Sequence, residues 1–225
     1  MTTIEDIIQF VKDYRGANAI TGSAPLTADQ RLKFATDLQA QISLLSRDPI
    51  GKSADATAIA YSGWLGDEPA YEVAKAMSLS SEGAKYYISD TLPGQLIVDQ
   101  RFQIAVNATM GDTVAAERLL FGKLNGVRIN ESAGIGDLRS IDDFVSKRFS
   151  EYAKGAVDFI AGDKVDPYSV FARSELEGFA RNADVPTVAG ISHEVLQAEL
   201  ASRPIGAALD NMRVEVLYAG PARRR

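Results

Sequence analysis

The sequence predicts an α/β fold, in which an N-terminal helical segment packs on a small, largely parallel sheet with flanking helices. Three observations predict it. Apolar residues in the first fifty positions recur at helical spacing. From residue 57 onward, short apolar or aromatic runs alternate with amphipathic stretches, the pattern of strands joined by crossover helices. A chain of 225 residues, 46% hydrophobic and 24% charged, can bury a core that needs no covalent staples. The expected division is a helical segment over residues 1–50 and an α/β catalytic region over 51–225, forming one compact unit.

The elements follow in order. Ile4, Ile7, Ile8 and Val11 mark a helix over residues 3–14. Thr27 with Gln30 makes a capping-box pattern, and Leu32, Phe34, Leu38, Ile42 and Leu45 form the stripe after it. "ATAIAYSG" reads as a strand ending at Ser62 and Gly63. The helix after it is capped by Asp67, with Pro69 in its first turn and Ala70, Val73, Ala74 and Met77 on one face. "AKYYISDTLPGQLIV" has strand-like aromatics followed by the breaker pair Pro93 and Gly94. "GDTVAAERLLFGKL" and "SIDDFVSKRFSEYAKG" are helices, the second closed by Gly155, and "AVDFIAG" is a strand. "YSVFA" reads as a further strand and "ELEGFARN" as the helix that follows it. "VPTVAGI" is strand-like, "SHEVLQAELA" helical, and "MRVEVLYAG" a closing strand over 211–219.

Composition excludes several chemistries. There is no cysteine, hence no disulfide, thiolate metal site or cysteine nucleophile. The lone histidine, His193, opens "HEVLQ", which has Gln197 where a zincin needs its second histidine, so no metal site is expected. A net charge of −6 with scattered basic residues argues against nucleic-acid binding. The N-terminus is no signal peptide, and no apolar run spans a membrane. The expected location is therefore cytoplasmic, or outside the cell through a signal-independent secretion system.

In parallel sheets ligands sit beyond the carboxyl ends of the strands. Those ends carry Tyr61, Ser62, Gly63 and Trp64; Ser89, Asp90 and Thr91; Gly162 and Asp163; and Ser174 and Glu175. Glu175 is placed at a strand-to-helix junction, whereas Glu177 reads as a solvated charge.

Taken in order, "TAIAYSG", "YISDTLPGQL", "FVSKRFSEYAKGAVDFI" and "SVFARSELEG" resemble segments of the ADP-ribosyl cyclase/NAD glycohydrolase family. The resemblance covers residues 57–191. It implies that Glu175 is catalytic, that Tyr61 flanks the nicotinamide ribose, that Asp90 lies near the nicotinamide amide, and that Ser146 contacts phosphate. Ser62, Trp64 and Thr91 complete the implied substrate-binding set. NAD is then a substrate, and no cofactor is implied. Bacterial and fungal members serve as toxins held in check by a partner, which implies an effector with a cognate immunity protein. The chain departs from the family pattern at Ser89, where an acid is usual, at Asp142, where an aromatic is usual, and at Gly63, where an arginine is usual.

These residue types suit cleavage of the nicotinamide–ribose bond. The leaving pyridine is already cationic, so the reaction needs a carboxylate to stabilise an oxocarbenium-like ribosyl centre, and an aromatic wall. Water attack gives ADP-ribose, and attack by the adenine ring gives a cyclic product. Two other readings stand beside this one. Glu175 and Glu177 formally fit the E-x-E of protein ADP-ribosyltransferases, with "YRG" at Tyr14 as an arginine region. A non-enzymatic interaction or immunity-type protein would explain the departures at Asp142 and Gly63.

Overall fold

A computed structural model describes residues 1–124, 127–128, 138–161, 165 and 169–202. The helices are α1 (Ile4–Ala17), α2 (Ala28–Ile42), α3 (Ala70–Ser80), α4 (Leu92–Val98), α5 (Gln100–Met110), α6 (Thr113–Phe121), α7 (Ile141–Tyr152), α8 (Leu176–Arg181) and α9 (His193–Ser202). The strands are β1 (Thr57–Ser62), β2 (Trp64–Leu65), β3 (Glu68–Pro69), β4 (Lys85–Tyr87), β5 (Lys123–Leu124), β6 (Val127–Arg128), β7 (Val157–Ala161), β8 (Thr187–Val188) and β9 (Ile191–Ser192). The expected α/β class is what forms. The strand expected over 211–219 lies outside the described residues, as do Gly162 and Asp163.

The chain divides into two units, each built from two stretches of sequence. One comprises Met1–Gly51 and Ile88–Tyr152, the other Lys52–Tyr87 and Ala153–Arg225. The first fifty residues thus share a unit with residues 88–152.

The first unit is helical because its caps and stripes leave little alternative. Thr3 and Asp6 close a capping box on α1, and Thr27 and Gln30 close the expected one on α2. The apolar face of α1 buries Ile7, Ile8, Val11 and Tyr14, and the Tyr14 ring lies 4.7 Å from that of Phe34 on α2. Leu32 is exposed, and Ala35 joins Phe34, Leu38 and Ile42 on the buried face instead. The Arg15 guanidinium donates to the carbonyls of Thr109, at 2.9 Å, Gly22 and Ala24, tying the end of α1 to the next loop and to α5.

The pair Pro93 and Gly94 does not break the chain as expected. Thr91 caps α4 by accepting from the Gly94 N–H, so Pro93 and Gly94 fall in the first turn, where a missing proline N–H costs nothing. The structure also puts α5 straight after α4, where the sequence reading assigned no helix. A Cβ on Gly94 would lie 2.0 Å from the carbonyl oxygen and 2.6 Å from the carbonyl carbon of Ile88. Only glycine lets α4 close over the 3-10 turn at Ile88–Asp90.

The second unit holds a five-stranded sheet in the order β4-β1-β7-β8-β9, parallel except for the β8–β9 hairpin. β1 is paired on both edges, which accounts for its near-continuous apolar run. Side chains alternate between faces, and register partners share a face. Ile59, Tyr61, Tyr87 and Ile160 lie on the face covered by α3 through Ala70, Val73 and Ala74. Lys85 and Asp158, on that same face, pair at 2.6 Å. Asp67 does not cap α3. Trp64 pairs with Pro69 and Leu65 with Glu68, so Asp67 belongs to the hairpin turn and the helix begins at Ala70.

Replacing Gly94 by alanine is expected to lower unfolding stability by about 2–3 kcal/mol through overpacking. In an unconstrained helix the same change would stabilise by roughly 0.5–1 kcal/mol. Urea denaturation of Gly94→Ala, read as the midpoint at unchanged slope, distinguishes the two signs.

Candidate active site

The stretch that carries Glu175 is not a strand followed by a helix. Phe171–Glu175 form a single π-helical turn that runs directly into α8. The register change is visible in the hydrogen bonds. The Arg173 N–H donates to the Ser169 carbonyl four residues back, but the Leu176 N–H donates to the Phe171 carbonyl five residues back. Tyr168, also assigned to the expected strand, lies outside the described residues.

Packing explains why helical backbone prevails over the strand-like composition of "YSVFA". The Phe171 ring stacks on Phe159 of β7 with centroids 3.9 Å apart and planes at 22°. Leu176 and Phe179 of α8 are also fully buried. The extra residue in the π turn lets Phe171, Ala172, Ser174, Glu175 and Leu176 all be buried. A regular α-helix cannot turn so many near-consecutive residues inward. That run of burial is also why the stretch shows no helical periodicity in the sequence.

Glu175 is thereby 7% exposed, a carboxylate in the inner layer of the second unit. It is not the solvated first-turn charge that its helix-start position suggests. Glu177 is held by Arg181 one turn on, at 2.5 Å, as a surface pair.

The two faces of the sheet sort the remaining candidates. Phe159 pairs in register with Ala60, so the face covered by the π turn is that of Ala58, Ala60 and Ser62. Ser62 is 5% exposed and its Oγ, buried, has no hydrogen-bond partner among the described residues. Tyr61 points to the opposite face, toward α3, with its ring 6.4 Å from that of Tyr87. It therefore packs as a core-edge residue, on the far side of the sheet from the π turn. Trp64 is 62% exposed on the β2–β3 hairpin, which is closed by a 3.0 Å bond from the Ala70 N–H to the Gly63 carbonyl. Gly63 has φ +68°, a conformation that disfavours an arginine there.

Asp90, Thr91 and Ser146 belong to the first unit. Thr91 is buried and its hydroxyl is engaged twice, donating to the Ile88 carbonyl at 2.6 Å and accepting from Gly94. Its role is to build the turn that starts α4. The carbonyl of Asp90 accepts from the Ile50 N–H at 2.8 Å. Ser146 is buried on the inner face of α7, along with Asp143, Val145 and Phe149. The second unit thus brings together Ser62 and the π turn of Glu175 on one sheet face, and it separates Tyr61 from them.

Among the described residues no group of three or more histidine, aspartate or glutamate side chains could hold a metal ion. No helix among them is long and apolar enough to cross a membrane.

A buried hydroxyl without a partner is a cost, not a support. Ser62→Ala is expected to leave thermal stability unchanged or raise it by up to about 1 kcal/mol. A loss larger than that would show that the hydroxyl is satisfied in solution. No protein-family model matches the chain, and no curated protein matches it in sequence.

Proposed function

We propose that the protein is an NAD glycohydrolase or ADP-ribosyl cyclase, with Glu175 acting at the ribosyl centre. One observation carries the reading: a carboxylate only 7% exposed, held in a π-helical turn on the sheet face where Ser62 ends β1. π turns within helices occur often at functional sites, because their strain persists only where something else requires it. The ordered resemblance of residues 57–191 supports the same assignment.

In the proposed reaction the bond between ribose C1′ and the nicotinamide nitrogen breaks, and its electron pair passes to the pyridine, which leaves neutral. Positive charge develops on the ribosyl carbon, and the Glu175 carboxylate stabilises it in a site of low dielectric. Water then adds to C1′ and loses its proton, giving ADP-ribose. Attack by an adenine ring nitrogen instead gives cyclic ADP-ribose. Ser62, with hydrogen-bonding capacity unused by the described residues, supplies a contact to the substrate. Trp64, largely exposed on its hairpin, supplies an aromatic surface for a ring of the ligand. Asp90, Thr91 and Ser146 stay in the proposal only as residues that the resemblance indicates. An effector role, with an immunity protein as partner, belongs to the same proposal.

A second reading, a non-enzymatic interaction protein, is favoured by one observation. Tyr61, the residue expected to flank the nicotinamide ribose, packs toward α3 instead.

Incubation with NAD, with chromatographic detection of free nicotinamide, separates the two readings. Wild type is expected to release nicotinamide, Glu175→Gln to slow release by roughly 100-fold or more, and Glu177→Gln to leave it unchanged. No release by wild type would overturn the reading. Equal release by wild type and Glu175→Gln would remove Glu175 from it. Label passing to protein rather than to water would favour an ADP-ribosyltransferase.

A further inference from the structure

In the first unit, two arginines converge on one ring. The Arg47 guanidinium carbon lies 3.9 Å from the centroid of Tyr152, and that of Arg148 lies 5.3 Å from the same centroid. Arg148 is also 5.8 Å from the Phe144 ring one turn earlier on α7. The two guanidinium carbons are therefore at most about 9 Å apart, around one ring, and a single phosphate group can bridge them from a shared side of it. Tyr152 is 48% exposed, so ligand can reach the ring that carries them.

Among the described residues neither arginine has an ion pair. In a chain with thirty acidic and twenty-four basic side chains, a shortage of carboxylates is not the reason. Glu151, the acid nearest to Arg148 in sequence, pairs with Lys147 at 3.7 Å, and Asp48, beside Arg47, accepts from the Ser46 hydroxyl at 3.4 Å. Arg47 gives one N–H to the Ser43 carbonyl at 3.2 Å, which compensates the end of α2. Helix-end compensation does not account for Arg148, whose Nε is buried with no acceptor among the described residues. Contact with the aromatic ring instead holds each guanidinium by its charge and leaves N–H groups for a further acceptor. Ordering of the side chains is then complete before any ligand arrives, which is what makes such a pair receptive to an anion.

We propose that Arg47, Tyr152 and Arg148 form a binding site for a phosphate group. The guanidinium fork matches phosphate oxygens, and the terminal N–H groups of Arg47 and Arg148 supply the donors. The site lies wholly within the first unit and does not depend on NAD cleavage.

The test is calorimetric titration of the full chain with inorganic phosphate and, separately, with ribose 5-phosphate. Saturable binding near 1 mM or tighter is expected with at least one of them, roughly the lower edge of specific recognition. Binding of inorganic phosphate alone assigns the site to the free ion, and binding of the ester alone assigns it to a phosphomonoester. Arg148→Gln and Tyr152→Leu are each expected to weaken binding about tenfold or more, whereas Tyr152→Phe, which keeps the ring, stays within about threefold of wild type. Thermal melts of each variant confirm that it is folded. No saturable heat up to roughly 10 mM with either probe would overturn the proposal. So would equal binding by wild type and Arg148→Gln, or equal loss in Tyr152→Phe and Tyr152→Leu.

Discussion

The second unit depends on one aromatic contact, the stacking of Phe171 on Phe159. Two rings 3.9 Å apart remove a large apolar area from water, and stacked pairs add about 0.5–1.5 kcal/mol beyond that burial. The contact fixes the start of the π turn against β7. Leu176 and Phe179 then anchor α8 one turn and two turns further on. The extra residue in the turn reconciles these anchors, and Glu175 is carried inward between them. A charged side chain is costly to bury, so its position reflects a constraint imposed from both sides rather than a preference of its own.

The same contact defines which sheet face the π turn covers. Strand alternation from Phe159 and Ala60 puts Ser62 on that face and Tyr61 on the other. Ser62 is the more informative residue of the two. Its hydroxyl is removed from water and given nothing in return by the described residues, whereas Tyr61 completes an apolar cluster with Ile59, Ile160 and Tyr87. A substrate surface on the π-turn side would therefore draw on Glu175 and Ser62 before any aromatic of β1.

Local signals in the sequence were reliable where the chain's own neighbours decide the outcome. The capping box at Thr27 and strands β1 and β7 form where spacing and residue type place them. Signals that depend on distant partners were not readable. Val170 and Phe171 have strand-like side chains, and only contact with β7, twelve residues earlier, makes the backbone helical. Gly94 reads as a breaker, but its missing Cβ is what lets α4 pack on the turn before it. The return of residues 88–152 to the N-terminal helices is likewise invisible to any local pattern. For the candidate site, Glu175 was singled out by a strand-to-helix junction that does not form, and neither the π turn nor its burial had a local signal. The sequence offered no signal for the sidedness that parts Tyr61 from Ser62.

The central claim is that the π turn aims Glu175 at the ribose of NAD. A crystal structure of Glu175→Gln with NAD bound tests it most directly, because the substitution keeps the shape of the site while blocking turnover. The account predicts that the residue 175 side chain lies within hydrogen-bonding distance of the nicotinamide ribose, on the sheet face that carries Ser62. A ribose bound elsewhere, with the 175 side chain still sealed in the core, would contradict it.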